Sequence, residues 1–123
     1  MEKINKLQLS VITKIPKGKL EEFKQLAAEH IRGIRERDTG TLKFDIFISS
    51  DQTEGETRVE FKNSEAVLEH MANHGEGAEK FMSFVDHVNV YGEPSPELLE
   101  AGKRFDLKVY SFSQGLEEMI EIQ

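Results

Sequence analysis

Apolar and polar residues alternate along some stretches of the chain, and in others the apolar ones recur every three or four positions. Leu7, Leu9, Val11 and Ile15 alternate with Gln8, Ser10 and Lys14, which predicts a first strand with one apolar face. Pro16-Lys17-Gly18 breaks it. Leu20, Phe23, Ala27, Ile31 and Ile34 then recur at helical spacing, with Leu26 and His30 flanking the stripe and charged residues opposite. Asp38-Thr39-Gly40 ends this helix, with Gly40 a candidate for the left-handed residue that follows many helices. Leu42, Phe44, Ile46 and Ile48 alternate with Thr41, Lys43, Asp45 and Phe47 in a second strand. After a polar loop from Ser49 to Gly55, Thr57, Val59 and Phe61 alternate with Arg58, Glu60 and Lys62 in a third, antiparallel to the second.

Asn63 or Ser64 can cap the next helix, whose apolar edge is Val67, Leu68 and Met71. Gly75 and Gly77 loosen its middle, and Ala78, Phe81, Met82 and Val85 continue on one face of another helical piece. Val88 and Val90 alternate with Asn89 and Tyr91 in a fourth strand ending at Gly92. The order strand, helix, strand, strand, helix, strand predicts an α+β fold, the ferredoxin-like βαββαβ arrangement with a four-stranded antiparallel sheet and two helices on one face. The helix-facing set is Leu9, Val11, Phe44, Ile46, Val59, Phe61, Val88 and Val90. The other face carries Ile12, Phe47, Tyr91, Lys43, Asp45, Arg58 and Glu60, a mixture that wants partial cover.

Beyond Pro94-Ser95-Pro96, a short helix from Glu97 to Lys103 points Leu98 and Leu99 inward, and a fifth strand spans Phe105 to Tyr110. That strand needs an edge to pair with, and the sheet of a partner subunit is one place to find it. The tail from Gly115 to Gln123 reads either as an amphipathic helix or as a frayed end.

Length and charge narrow the classes. At 123 residues the chain fits one domain. A formal charge of −7, with no uninterrupted basic cluster, argues against nucleic acid and anionic membrane surfaces. Cysteine is absent, which removes disulfides, a thiolate nucleophile and cysteine metal sites. No apolar run approaches the ~20 residues of a membrane span, and Met1 to Lys6 does not open a signal peptide. The expectation is a cytoplasmic protein.

Three segments carry a more specific likeness: Ile15-Pro-Lys-Gly-Lys-Leu-Glu-Glu-Phe23, Asp38-Thr-Gly-Thr-Leu-Lys-Phe-Asp-Ile-Phe47, and Arg58-Val-Glu-Phe-Lys-Asn-Ser-Glu-Ala-Val-Leu-Glu-His70 with His74 following. Together with Gly92 to Leu99 they resemble the antibiotic biosynthesis monooxygenase family of the dimeric α+β barrel superfamily, over most of residues 7–112. The resemblance implies a homodimer with sheets face to face, and a separate pocket in each subunit between sheet and helices. It divides the chain into a core of residues 7–92 and a C-terminal extension of 93–123 within one domain, 1–123. Some members oxidise phenols or quinols with molecular oxygen and no cofactor; others degrade haem, isomerise small metabolites or have no assigned activity. Matched on Gly18, the haem-degrading pattern would need Asn at Val11, Trp at His70 and His near Lys80, and this departure argues against haem.

In such a pocket, His70 and His74, four apart on one helix face, are the candidate catalytic pair, with His70 the preferred general base. The simpler reading is surface histidines, and two histidines without a third ligand do not make a metal site. His30 is explained by the edge of the apolar stripe, and His87 as loop or surface. Val11, Phe44, Phe61, Phe81 and Phe84 are the candidate substrate-binding residues; taken singly, each phenylalanine reads first as ordinary core, and both roles can hold together. Tyr91 and Asn89 face away from the helices and suit an interface, where Arg58 and Glu60 would pair across the barrel. The expected function is cofactor-independent monooxygenation of a small aromatic phenol or quinol, with no metal. The alternatives are a non-catalytic small-ligand or stress-associated module, and an oxygen-independent isomerase or decarboxylase using the same base.

Overall fold

A computed structural model describes residues 6–75 and 78–116 of the chain. The predicted tail and Gly77 fall partly or wholly outside those residues. The elements run β1 (Leu7–Lys14), α1 (Leu20–Arg37), β2 (Thr41–Ile48), β3 (Glu54–Phe61), α2 (Ser64–His74), α3 (Glu79–Met82), β4 (Val85–Tyr91), α4 (Pro96–Ala101) and β5 (Leu107–Tyr110). Among the described residues no helix is long and apolar enough to cross a membrane.

The strands form one open sheet in the order β2-β3-β1-β4-β5. The first four pair antiparallel, with Leu9 opposite Val59 and Val90, and Phe44 opposite Val59. The expected four-stranded antiparallel sheet is corrected here, because β5 adds to the edge of β4 in parallel and makes the sheet five-stranded and mixed. A parallel neighbour needs a crossover, and α4 supplies it. Ser95 caps α4 by accepting from Leu98 N at 3.2 Å, and Pro96 sits in its first turn. The fifth strand therefore finds its edge within its own chain.

The helix-facing set expected from the period-two pattern lies on the helix side, but Leu42, which that pattern groups with Phe44, is 55 % exposed beside the register shift between Thr41 and Lys43. Leu7, Val59, Phe61, Val67, Val88, Val90 and Leu98 pack as one buried group, with Leu9, Val11 and Phe44 against it. Ile15, Phe23, Ala27 and Phe81 form a second group that takes in Ile46 and Phe84. On the opposite face, Lys43, Asp45, Phe47, Arg58, Glu60 and Tyr91 line a second pocket of about 160 Å³. Arg58 lies 3.5 Å from Glu56 and Glu60 lies 3.0 Å from Lys6, so both have partners within the chain.

Several local expectations change. The buried stripe of α1 is Phe23, Ala27, His30, Gly33 and Ile34, so His30 faces the interior in place of Ile31. Gly40 has no left-handed backbone; a Cβ there would lie 2.4 Å from the Ala66 Cβ, so glycine is required by the close approach of α2. Asn63, rather than Ser64, caps α2, accepting from Ala66 N at 2.9 Å. Val85 begins β4 instead of extending a helix. Leu98 is buried as expected, while Leu99 stays 41 % exposed.

Candidate functional site

Between the sheet and the helices lies a cavity of about 150 Å³. An apolar cavity of about this volume holds a benzene-sized ring. Its walls are mainly apolar, with β1 and β3 contributing Val11, Val59 and Phe61, β2 contributing Phe44, and α3 contributing Phe81. Four of the five expected binding residues are thus brought together. Phe84 is not among the residues lining the cavity; it packs edge-on against Phe23, ring centroids 5.4 Å apart, in the second buried group.

His70 and His74 line the same cavity, and so does His30. The two α2 histidines share a face because they are one turn apart. α1 delivers His30 against them. The three imidazole centroids are 4.7–5.1 Å apart, enclosed by Phe44, Phe61 and Phe81. His87, in contrast, pairs with the adjacent Asp86 at 2.8 Å.

Asp38 organises this cluster, and the sequence reading saw it only as the end of a helix. It is the C-terminal capping residue of α1, in extended conformation. The negative end of the helix dipole disfavours an acid there. Its carboxylate is compensated by four side-chain hydrogen bonds. Oδ2 accepts from His70 Nδ1 at 2.6 Å and from Thr41 Oγ1 at 2.7 Å. Oδ1 accepts from His74 Nε2 at 2.8 Å and from Asn73 Nδ2 at 2.9 Å. Burial pushes the carboxyl up, but these bonds outweigh it and hold Asp38 well below the usual carboxylate range.

An ionised carboxylate can only accept, so the hydrogens must sit on His70 Nδ1 and His74 Nε2. Neutral His70 then has a bare Nε2, the basic nitrogen left for a ligand. Burial pulls the His70 pKa down, and the bond and charge of Asp38 oppose that fall only in part. His30 is pushed down to about 4, first by burial and then by the neighbouring His70 and His74, with Asp38 opposing. At neutral pH His30 and His70 are therefore uncharged beside the ionised Asp38.

Gly33 lets His74 take its place. A Cβ on Gly33 would lie 3.1 Å from His74 Cε1 and 2.6 Å from an Arg37 guanidinium nitrogen. A mid-helix glycine costs about 1 kcal/mol relative to alanine, and here it opens room for the imidazole.

Asp38, His70 and His74 offer ligand atoms within 4.8 Å of one another, a spacing that would also suit a metal ion. The hydrogen bonds speak otherwise. The carboxylate has about four acceptor positions, and Thr41, Asn73 and the two histidines fill them. The imidazole nitrogens nearest Asp38 are the ones carrying hydrogen. The chemistry this arrangement supports is proton transfer.

No family model matches the chain, and no curated protein matches it. Solved structures do. MupZ from Pseudomonas fluorescens superposes with a TM-score of 0.79 at 19 % identity, over 91 % of this chain and 93 % of its own. SnoaB, described as a cofactor-independent oxygenase from Streptomyces nogalater and solved as a mutant, gives 0.60 at 11 % identity, over 74 % and 95 %. A protein of Nitrosomonas europaea named "putative antibiotic biosynthesis monooxygenase" gives 0.59 at 22 % identity, over 75 % and 93 %. The chain has an antibiotic biosynthesis monooxygenase-like fold. Within this monooxygenase-like scaffold, the described C-terminal segment, with α4 and β5, also lines the cavity through Leu98, Arg104 and Leu107.

Proposed function

We propose that the chain is a cofactor-independent monooxygenase-like enzyme that oxidises a small aromatic phenol or quinol, with His70 as general base. The observation that carries this reading is the Asp38–His70 pair opening onto an apolar, ring-sized cavity. Phe44, Phe61, Phe81 and Val11 would hold the ring. His70 Nε2 would take the phenolic proton, and Asp38 would stabilise the resulting imidazolium through Nδ1. His30, uncharged, would offer the phenolate oxygen a hydrogen bond without competing for the proton. His74 would hold Asp38 in place rather than meet the substrate.

The phenolate, poorly solvated among aromatic side chains, would pass one electron to molecular oxygen. The phenoxyl radical and superoxide would then join in a bond between a ring carbon and oxygen, and the peroxide would take back the proton held by His70. Loss of water from the peroxide leaves a quinone, so that phenol plus oxygen gives quinone plus water. Oxygen uptake with a panel of phenols and hydroquinones tests the reading: uptake should match quinone formed one to one. Turnover that persists unchanged without oxygen would contradict it. That second outcome corresponds to an oxygen-independent isomerase, which the same hydrogen-bonded acid–base cluster would equally serve.

We further propose that the working form is a homodimer joined through the outer sheet face. Phe47 is 55 % exposed there, and Tyr91 and Tyr110 stack at 5.2 Å while remaining accessible. The fifth strand no longer supports this, since its own sheet accommodates it. Sedimentation at micromolar concentration should show a dimer, and a monomer would overturn the proposal.

A further inference from the structure

Among the described residues, the walls of the cavity carry one permanently charged side chain, Arg104. The remaining walls are apolar, apart from the three imidazoles and Thr57. Gly75, Leu99 and Arg104 are the exposed residues of the lining, and the others are buried or half-buried. The cavity therefore opens beside the end of α2 and along α4 and the turn that follows it, and Arg104 stands at that opening.

Two features hold Arg104 there. Gly102 N donates to Leu98 O at 3.0 Å, and Phe105 N donates to Gly102 O at 3.0 Å, so the chain turns out of α4 where Arg104 lies. The Arg104 guanidinium carbon sits 4.8 Å from the centroid of the Phe105 ring, which lines the same cavity. A guanidinium over an aromatic face keeps its N–H groups at its own edge, open to a planar acceptor. Arg104 forms no ion pair among the described residues, whereas the adjacent Lys103 lies 3.0 Å from Glu100.

The chain as a whole carries a charge of −7, which disfavours anions in general. A cation at the rim of an apolar cavity reverses that preference locally. One guanidinium matches a monoanion, and its paired N–H groups fit a carboxylate bidentately. No second cation lines the cavity among the described residues to balance a doubly charged phosphate.

We propose that the ligand is an aromatic acid, with its ring among Phe44, Phe61 and Phe81 and its carboxylate, on a short side chain, paired with Arg104 at the opening. This rests on the aromatic-substrate reading above and adds the charged substituent. Arg104 is a specificity-determining residue: it selects acids over neutral aromatics and fixes which end of the ligand faces outward.

Calorimetric binding in the absence of oxygen tests this by comparing carboxylates with their neutral carboxamides. The pairs are 4-hydroxyphenylacetate with its amide, 3-(4-hydroxyphenyl)propanoate with its amide, and phenylacetate with its amide. For at least one pair the native chain should favour the carboxylate by about 5-fold, the upper worth of a solvent-accessible ion pair. Arg104→Gln should abolish that preference while leaving the affinity for the amide unchanged, and Arg104→Glu should reverse it. No preference for the carboxylate in any pair, a preference that survives either substitution, or no saturable binding overturns the proposal. The phenylacetate pair has no phenol, so a carboxylate preference there stands even if the assignment of His70 as the base for a phenol fails.

Discussion

His70 Nδ1 lies 2.6 Å from the Asp38 carboxylate, across 32 positions of sequence. A helix end and the middle of another helix meet there, and the contact decides which nitrogen of His70 carries the hydrogen. Replacing Asp38 with Asn would set an amide N–H against donors that now find an acceptor. Asp38→Asn should lower kcat/KM by about 10²- to 10⁴-fold, the usual worth of a positioned acid–base group. It should also cost about 3 kcal/mol in urea unfolding, as when one member of a buried charged network is removed. His70→Gln should match it in activity with a smaller loss of stability.

This pair also shows what the sequence made legible. The one-turn spacing of His70 and His74 and the period-two pattern of the strands identified one wall of the site and most of its aromatic lining. Asp38 was hidden because an acid after a helix reads as a stop, and its partners are remote in sequence. The apolar spacing of α1 fits either Ile31 or His30 inward; packing against the α2 histidines selects His30. Arg104 carries no signal in the sequence, since its place at the cavity opening is visible only in three dimensions. The parallel pairing of β5 depends on the crossover through α4, which no local pattern announces.

Acid should weaken the fold in two separate ranges. His30 titrates at about 4 in the folded chain against an ordinary 6.5. The unfolded chain therefore binds more protons as pH falls from 6.5 toward 4, and stability falls with it, by up to about 3 kcal/mol from this residue. His70, also lowered, adds in the same direction. Asp38 is depressed, so its contribution is full above the ordinary carboxylate pKa of 3.8 and is lost only in stronger acid. Urea midpoints between pH 7 and 4 should decline steadily, and His30→Phe should flatten much of that decline.

Gly33→Ala sets two effects against each other. Helix propensity favours alanine by about 1 kcal/mol. The new methyl would press on His74 at 3.1 Å, while the Arg37 side chain can swing clear. The variant should be no more stable than the native chain by thermal unfolding, and its activity should fall as the imidazole is displaced from Asp38. A gain approaching the full propensity term would mean that the helices are not held this closely.

Chelation separates proton transfer from metal chemistry. With the Asp38 acceptor positions filled by Thr41, Asn73, His70 and His74, dialysis against EDTA should leave both turnover and the melting temperature unchanged. Loss of activity restored by one divalent metal would contradict this.

The most direct measurement is long-range ¹H–¹⁵N correlation NMR of the histidine side chains, assigned by comparison with His70→Gln and followed between pH 5 and 8. The structure predicts that neutral His70 carries its hydrogen on Nδ1, with an unprotonated Nε2 that titrates below 6.5. A His70 protonated on Nε2 in its neutral form would show that Asp38 does not set its tautomer, and would remove the base from the proposed chemistry.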